Sequence, residues 1–166
     1  TNKVNYWTGN ECRNFEREFA KYTNSRFAIS LSNGTVALDV ALRSLGIKKN
    51  DEVIVTSRSY VASASCVIGV GAKPVFCDVD IQTGNLDVNS AKCVLTNKTK
   101  AIICVHLGGY PCEMEKLMSF AKENKIYVIE DCSQAHGAKF KNKSVGSFGD
   151  VATWSFCQDK IMTTGG

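Results

Sequence analysis

Short apolar runs alternate with amphipathic segments from residue 51 to the end, and this alternation restricts the fold more than any other feature of the chain. Asp51–Thr56 (Asp-Glu-Val-Ile-Val-Thr), Lys73–Asp78 (Lys-Pro-Val-Phe-Cys-Asp), Lys100–His106, Ile126–Glu130 and Val151–Phe156 are rich in β-branched and aromatic residues and read as strands. Between them, Tyr60–Val70, Val88–Leu95 and Glu113–Asn124 read as helices. Strands that are apolar throughout need cover on both faces. The expected fold is therefore α/β, a three-layer α/β/α arrangement around a mainly parallel central sheet. Upstream, Phe15, Phe19 and Tyr22 mark an amphipathic helix over Glu11–Tyr22. Phe27–Leu31 reads as a further strand, and Val36–Leu45 as a helix that stops at Gly46. The opening stretch, Thr1–Asn10, carries no start signal or cap, and the only prolines, Pro74 and Pro111, fall at element edges.

Composition narrows the functional classes. A chain of 166 residues that is 44% hydrophobic and 22% charged can bury a real core as one domain. Its formal charge of +4 is spread among acidic residues, which gives no reason to invoke nucleic acid. The 8 cysteines never form a C-x-x-C pair and mostly lie in apolar runs. They read as small buried thiols in a reducing cytosol, with neither a disulfide frame nor a metal site expected. No stretch approaches membrane-spanning length and no signal peptide is recognisable, so the protein reads as soluble and cytoplasmic, without a membrane partner. The N-x-S/T triplets at Asn33, Asn97 and Asn142 then read as chance matches.

In a parallel sheet, functional groups gather beyond the carboxyl ends of the strands, and four sets of residues lie there. Asn33-Gly34-Thr35 opens a helix; its free amides suit a phosphate, although capping by Ser32 or Asn33 accounts for the motif equally simply. Tyr60 follows a strand and could stack on a flat heteroaromatic ligand or pack at a rim. Asp131 closes an apolar strand with no basic neighbour in sequence. A carboxylate buried there needs a cation from elsewhere, either a structural partner or a protonated ring nitrogen. Close by, Gln134 and His136 could serve a ligand or satisfy a turn. Ser155 and Lys160 follow the last strand; a partly desolvated lysine can attack a carbonyl and form a Schiff base, whereas a solvated loop lysine does so poorly.

A phosphate seat, a flat aromatic, a carboxylate for a pyridinium and a Schiff-base lysine together match what pyridoxal phosphate requires. The motifs Ser-Asn-Gly-Thr, Asp-Glu-Val-Ile-Val-Thr with Tyr60, Lys-Pro-Val-Phe-Cys-Asp-Val-Asp, Thr-Lys-Ala-Ile-Ile-Cys-Val-His, Glu-Asp-Cys-Ser-Gln-Ala-His-Gly and Ser-Phe-Cys-Gln-Asp-Lys follow one another in this order. In order and spacing the set resembles the DegT/DnrJ/EryC1/StrS family of nucleotide-sugar aminotransferases over essentially the whole chain. The resemblance implies the large domain of a fold-type-I pyridoxal phosphate enzyme over residues 1–166, incomplete and inactive alone, with the C-terminal small domain outside this chain. It implies Lys160 as the lysine bound to the cofactor, Asp131 as the partner of the pyridine nitrogen, and Gly34, Thr35 and Ser155 as the phosphate site. By the same resemblance Gln134 reaches the phenolic oxygen and Tyr60 covers the ring. His106 and His136 match family positions without a chemical role, and are read as packing or hydrogen-bonding groups. Cys132 and Cys157 stand where relatives carry other small or aromatic residues. The implied reaction moves an amino group from glutamate to a nucleotide-linked keto sugar, for aminosugar or cell-surface glycan biosynthesis, in a homodimer. A dehydratase of the same family is the nearest alternative, but there a histidine replaces the lysine. A non-catalytic binding or regulatory domain on the same scaffold is the other.

Overall fold

β1 (Glu52–Thr56) is buried along its whole length, as its Val-Ile-Val centre requires. Strand side chains alternate between faces. Val53 and Val55 pack with α2 (Gly34–Ser44) and α3 (Ala62–Gly69), whereas Ile54 packs on the opposite side with α4 (Val88–Cys93) and α5 (Met114–Asn124). The same sorting repeats in β3 (Thr99–Val105) and β4 (Tyr127–Asp131). Ala101, Ile103, Val105 and Ile129 join the α2–α3 side, and Ile102, Cys104 and Val128 the α4–α5 side. Full burial of each such side chain contributes about 1.5–3 kcal/mol, so a sheet covered twice selects for uninterrupted apolar strands. With β2 (Lys73–Cys77) and β7 (Val151–Thr153) they form a five-stranded, all-parallel sheet in the order β2-β1-β3-β4-β7. The expected three-layer α/β architecture is the observed one.

The computed structural model describes residues 9–165, so most of the opening Thr1–Asn10 stretch lies outside the described residues. α1 (Glu11–Thr23) forms where the Phe15, Phe19 and Tyr22 spacing predicts it. Pro74 sits in β2, an edge strand, where its missing N–H leaves one ladder side intact. Five of the cysteines are buried, while Cys12 and Cys93 are exposed. Burial pushes the Cys66 thiol up to about 11 and that of Cys77 up to about 12, so both remain protonated packing groups. Among the described residues no helix is long and apolar enough to cross a membrane.

Three elements differ from the sequence reading. Phe27–Leu31 joins no ladder: Phe27, Ile29 and Leu31 are exposed, and the segment has no neighbouring strand among the described residues. The alternating pattern was there, but a strand needs an edge to pair with. β7 ends at Thr153 rather than Phe156, because its partner β4 ends at Asp131, directly opposite. A small hairpin of β5 (Lys139–Phe140) and β6 (Lys143–Ser144) turns through Lys141 and Asn142, both at positive φ. With Lys-Asn in place of the usual Asn-Gly, the turn carries little local signal.

From β1 the chain passes through α3 to β2 on one side, then crosses to β3 on the other. The direction of travel reverses between β1 and β3, and ligands of open α/β sheets bind beyond the carboxyl ends of the strands at such a point.

Candidate active site

The amino end of α2 faces this edge. Asn33 caps the helix, its Oδ1 accepting the Val36 N–H at 2.9 Å. That accounts for one first-turn donor and leaves the Gly34 and Thr35 amides without intrahelical partners. Capping and anion binding are therefore compatible at this helix end. Gly34 is held against the segment after β7: a Cβ there would lie 3.1 Å from Ser155 Cβ and 3.5 Å from Ser133 Oγ. Two hydroxyls thus converge on a backbone whose missing Cβ eases the close approach.

Asp131 ends β4 with its side chain buried. It continues the parity of Ile129 and so belongs to the α2–α3 side of the sheet. Its Oδ1 accepts the Ser133 N–H at 3.0 Å, and it has no ion-pair partner among the described residues. Gln134 is oriented by its Oε1, which accepts the Gly108 N–H at 2.8 Å; its amide nitrogen is left as the donor. Tyr60 lies between β1 and α3 at the same edge, with 70% of its surface exposed.

Beyond β7 the extended chain continues to alternate. Trp154 and Phe156 turn toward α1, where Phe19 meets their rings edge-on at 5.2 and 5.3 Å, while Ser155 turns toward Gly34. Packing under α1 thereby sets the position of Ser155. A turn closed by Lys160 N–H to the Cys157 carbonyl, at 3.0 Å, then delivers Lys160. The Lys160 side chain is only 22% exposed and its Nζ donates to Asp159 Oδ2 at 3.2 Å. The hydrogen bond from Lys160 holds the Asp159 carboxyl below the usual carboxylate range. Contacts join Gly34, Ser133, Ser155 and Asp131 at this edge, while Thr35 follows Gly34 in α2, and Gln134, Tyr60 and Lys160 stand on the segments that follow β4, β1 and β7.

The family model described as the DegT/DnrJ/EryC1/StrS aminotransferase family matches residues 1–166. The chain belongs to this family. It is 48% identical over 157 residues to a GDP-perosamine synthase of Escherichia coli O157:H7, covering 95% of this chain and 43% of that protein. Among solved structures, an aminotransferase from Psychrobacter cryohalolentis superposes with a TM-score of 0.96 at 60% identity, over 99% of this chain and 42% of that one. A sugar aminotransferase of Streptococcus pneumoniae in a PLP form superposes with a TM-score of 0.91 at 31% identity, over 94% of this chain and 44% of that one. The chain therefore spans less than half the length of these relatives. The family and its solved members indicate pyridoxal phosphate as the cofactor.

Several residues of this family member escape a reading from sequence. Ser133, inside the Glu-Asp-Cys-Ser-Gln-Ala-His-Gly motif but given no role there, joins Ser155 at Gly34. Glu130 is fully buried on the face opposite Asp131 and accepts four hydrogen bonds. His106 Nε2 (3.1 Å) and Gly146 N–H (2.7 Å) meet one oxygen, while the N–H groups of Phe148 and Gly149 (both 2.7 Å) meet the other. Burial opposes the charge on Glu130, yet these donors overcome it and hold the carboxyl below its ordinary range. Burial likewise opposes a charged His106, whereas the surrounding thiols and Glu130 favour one. Its Nδ1, which accepts the Cys112 N–H at 3.1 Å, must keep a lone pair, so the ring is neutral with its proton on Nε2. His106, Glu130 and Cys132 place ligand-type atoms within 4.8 Å of one another, but both carboxylate oxygens are already committed.

His136 is 8% exposed, with both ring nitrogens buried and without a hydrogen-bond partner among the described residues. It lies against Trp154 and Phe156 at 5.3 and 5.1 Å. Burial lowers its pKa and the Lys160 charge adds to this, while the Ser155 backbone, outside hydrogen-bond geometry, biases it weakly the other way. A folded-state pKa below that of the unfolded chain means that the unfolded chain binds the proton more readily. Stability should then fall as pH drops below about 6.5, the ordinary histidine value. Denaturant midpoints at pH 7.5 and 5.5 are expected to differ more in the wild type than in His136→Phe; equal differences would show that His136 does not couple folding to pH.

Proposed function

We propose that the polypeptide carrying this chain is a pyridoxal phosphate-dependent aminotransferase that moves an amino group from glutamate to a nucleotide-linked keto sugar, in aminosugar or cell-surface glycan biosynthesis. Residues 1–166 form its cofactor-binding large domain, within a cytoplasmic homodimer. The observation that carries the reading is the junction of Gly34 with Ser133 and Ser155: donors meet there at a backbone where a Cβ would be tightly packed, near a buried Asp131 that has no ion-pair partner among the described residues. This donor set fits the cofactor's phosphate and its basic ring nitrogen. When bound, the cofactor supplies a covalent handle for amines and an electron sink.

The Gly34 and Thr35 amides with the Ser155 and Ser133 hydroxyls would hold the phosphate. Asp131, buried and without an ion-pair partner among the described residues, would hold a proton on the ring nitrogen; Gln134 would donate its amide N–H to the phenolic oxygen, and Tyr60 would cover the ring. Lys160 would hold the cofactor through Nζ and, as a free amine, would carry the proton that leaves the donor's α-carbon and, in the second half of the exchange, the one that reaches the acceptor carbon. Relatives supply the substrate class: a GDP-perosamine synthase and a dTDP-3-amino-3,6-dideoxy-alpha-D-galactopyranose transaminase are among them.

The test is a panel of nucleotide-linked keto sugars assayed with glutamate, using the complete polypeptide and its Asp131→Asn variant. The wild type should be yellow and turn over at least one sugar. The variant should retain cofactor yet lose roughly 100-fold or more in rate, as expected when the partner of a buried charge is removed. A colourless wild type, or near-normal turnover by Asp131→Asn, would overturn the reading.

A further inference from the structure

Arg58 stands in the loop between β1 and α3, just before Tyr60 and at the same edge of the sheet. Its guanidinium lies directly on the backbone of Gly84: a Cβ on that residue would sit 1.4 Å from one terminal nitrogen and 2.6 Å from Cζ. Gly84 also has φ +71°, which favours glycine, and its missing Cβ leaves the space that the guanidinium occupies.

The seat itself is firmly held. Asp80 Oδ1 accepts from the N–H groups of Gln82 and Thr83 and from the Thr83 hydroxyl, and the Gly84 N–H bonds the Asp80 carbonyl at 2.7 Å. The next residue, Asn85, is buried; it donates to the Tyr110 carbonyl at 2.8 Å and accepts the Leu107 N–H at 3.1 Å. The turn that it grips is the one whose Gly108 N–H orients Gln134. Continuous hydrogen bonding therefore runs from the cofactor-facing Gln134 to the platform beneath Arg58.

Arg58 itself is exposed and has no ion pair and no hydrogen bond among the described residues. Asp80, an acid of the same loop, spends the carboxylate oxygen named above on its own turn. An arginine resting on this platform with its donors open is available to an oxyanion, which a guanidinium binds in bidentate fashion. On the reading above, two substrates carry one: the amino donor its carboxylates and the nucleotide sugar its diphosphate.

We propose that Arg58, seated on Gly84, is a substrate-recognition residue that binds an oxyanion of the incoming substrate at the rim of the cofactor site. This rests on the aminotransferase reading, and the two can fail separately. Calorimetric titration of the complete, cofactor-loaded polypeptide with GDP probes diphosphate recognition without any chemistry. The bleaching of cofactor absorbance by glutamate alone probes the donor. Arg58→Gln should weaken one of these two by roughly 10- to 100-fold, the worth of a charge-assisted contact, and identify the anion bound. Arg58→Lys should restore it only in part. Gly84→Ala, which displaces the guanidinium and leaves its charge, should reproduce the loss, and the double variant should be no worse than either single one. Unchanged response to both probes in Arg58→Gln, or fully additive effects in the double variant, overturns the proposal. A wild type that binds GDP but does not respond to glutamate overturns the aminotransferase reading instead.

Discussion

Lys160→Ala should yield a colourless protein whose turnover is reduced by roughly three orders of magnitude or more, with melting behaviour close to that of the wild type. The two halves of this expectation come from different parts of the structure. Lys160 contributes little to folding: its only ionic partner among the described residues is Asp159, whose side chain is 66% exposed, and an ion pair open to water is weakly stabilising. In the proposed chemistry it has two duties, covalent attachment of the cofactor and proton transfer at the α-carbon, and the second alone is typically worth 10²–10⁴-fold. Absorbance spectra recorded after dialysis, alongside thermal unfolding curves, check both halves. A yellow Lys160→Ala protein would move the attachment point elsewhere. A large drop in melting temperature with retained colour would make Lys160 a structural residue.

Glu130→Ala should have the opposite signature. It removes the acceptor for three backbone N–H groups and for His106, at a position that is itself fully buried. Each donor left without an acceptor in a buried setting costs about 1–3 kcal/mol, and several together consume much of a domain's margin. Urea unfolding of the complete polypeptide should therefore show a markedly lower midpoint. Glu130→Gln should fall between, because its amide can accept at one oxygen only and presents donors to donors at the other position. The segment that Glu130 anchors, residues 146–149, leads into β7 and from there to Ser155 and Lys160. Weakened cofactor retention should accompany the loss of stability. A midpoint shift equivalent to less than about 1 kcal/mol would mean that the loop holds itself in place without Glu130.

The contrast between these two residues shows which parts of the molecule are written locally. Sheet and helices were legible because burial on both faces leaves its mark on every strand, and Lys160, Asp131 and Gly34 were legible because each belongs to a motif of contiguous residues at a strand or helix end. Glu130 was not, although it stands beside Asp131. Its donors come from His106 and from residues 146–149, and no local pattern ties those positions to residue 130. Ser133 escaped for the same reason, its surroundings being assembled by α2, whereas His136, read as a packing or hydrogen-bonding group, packs against Trp154 and Phe156. Phe27–Leu31 failed in the other direction: its local signal is strong, but pairing is a property of two segments and only one is present among the described residues.

The two adjacent acids at the end of β4 also bear on how this protein can change. Glu130 faces a pocket of donors that fit a carboxylate, and Asp131 faces the α2–α3 side, where on the proposed reading the cofactor would supply its cation. Moving β4 by a single position against its neighbours would exchange their surroundings. The structural acid would lose all its partners and the chemical one would be smothered. Strand alignment and catalysis are thus guarded by the same pair of side chains. An insertion or deletion within β4 would be lost to folding before selection on activity could act on it.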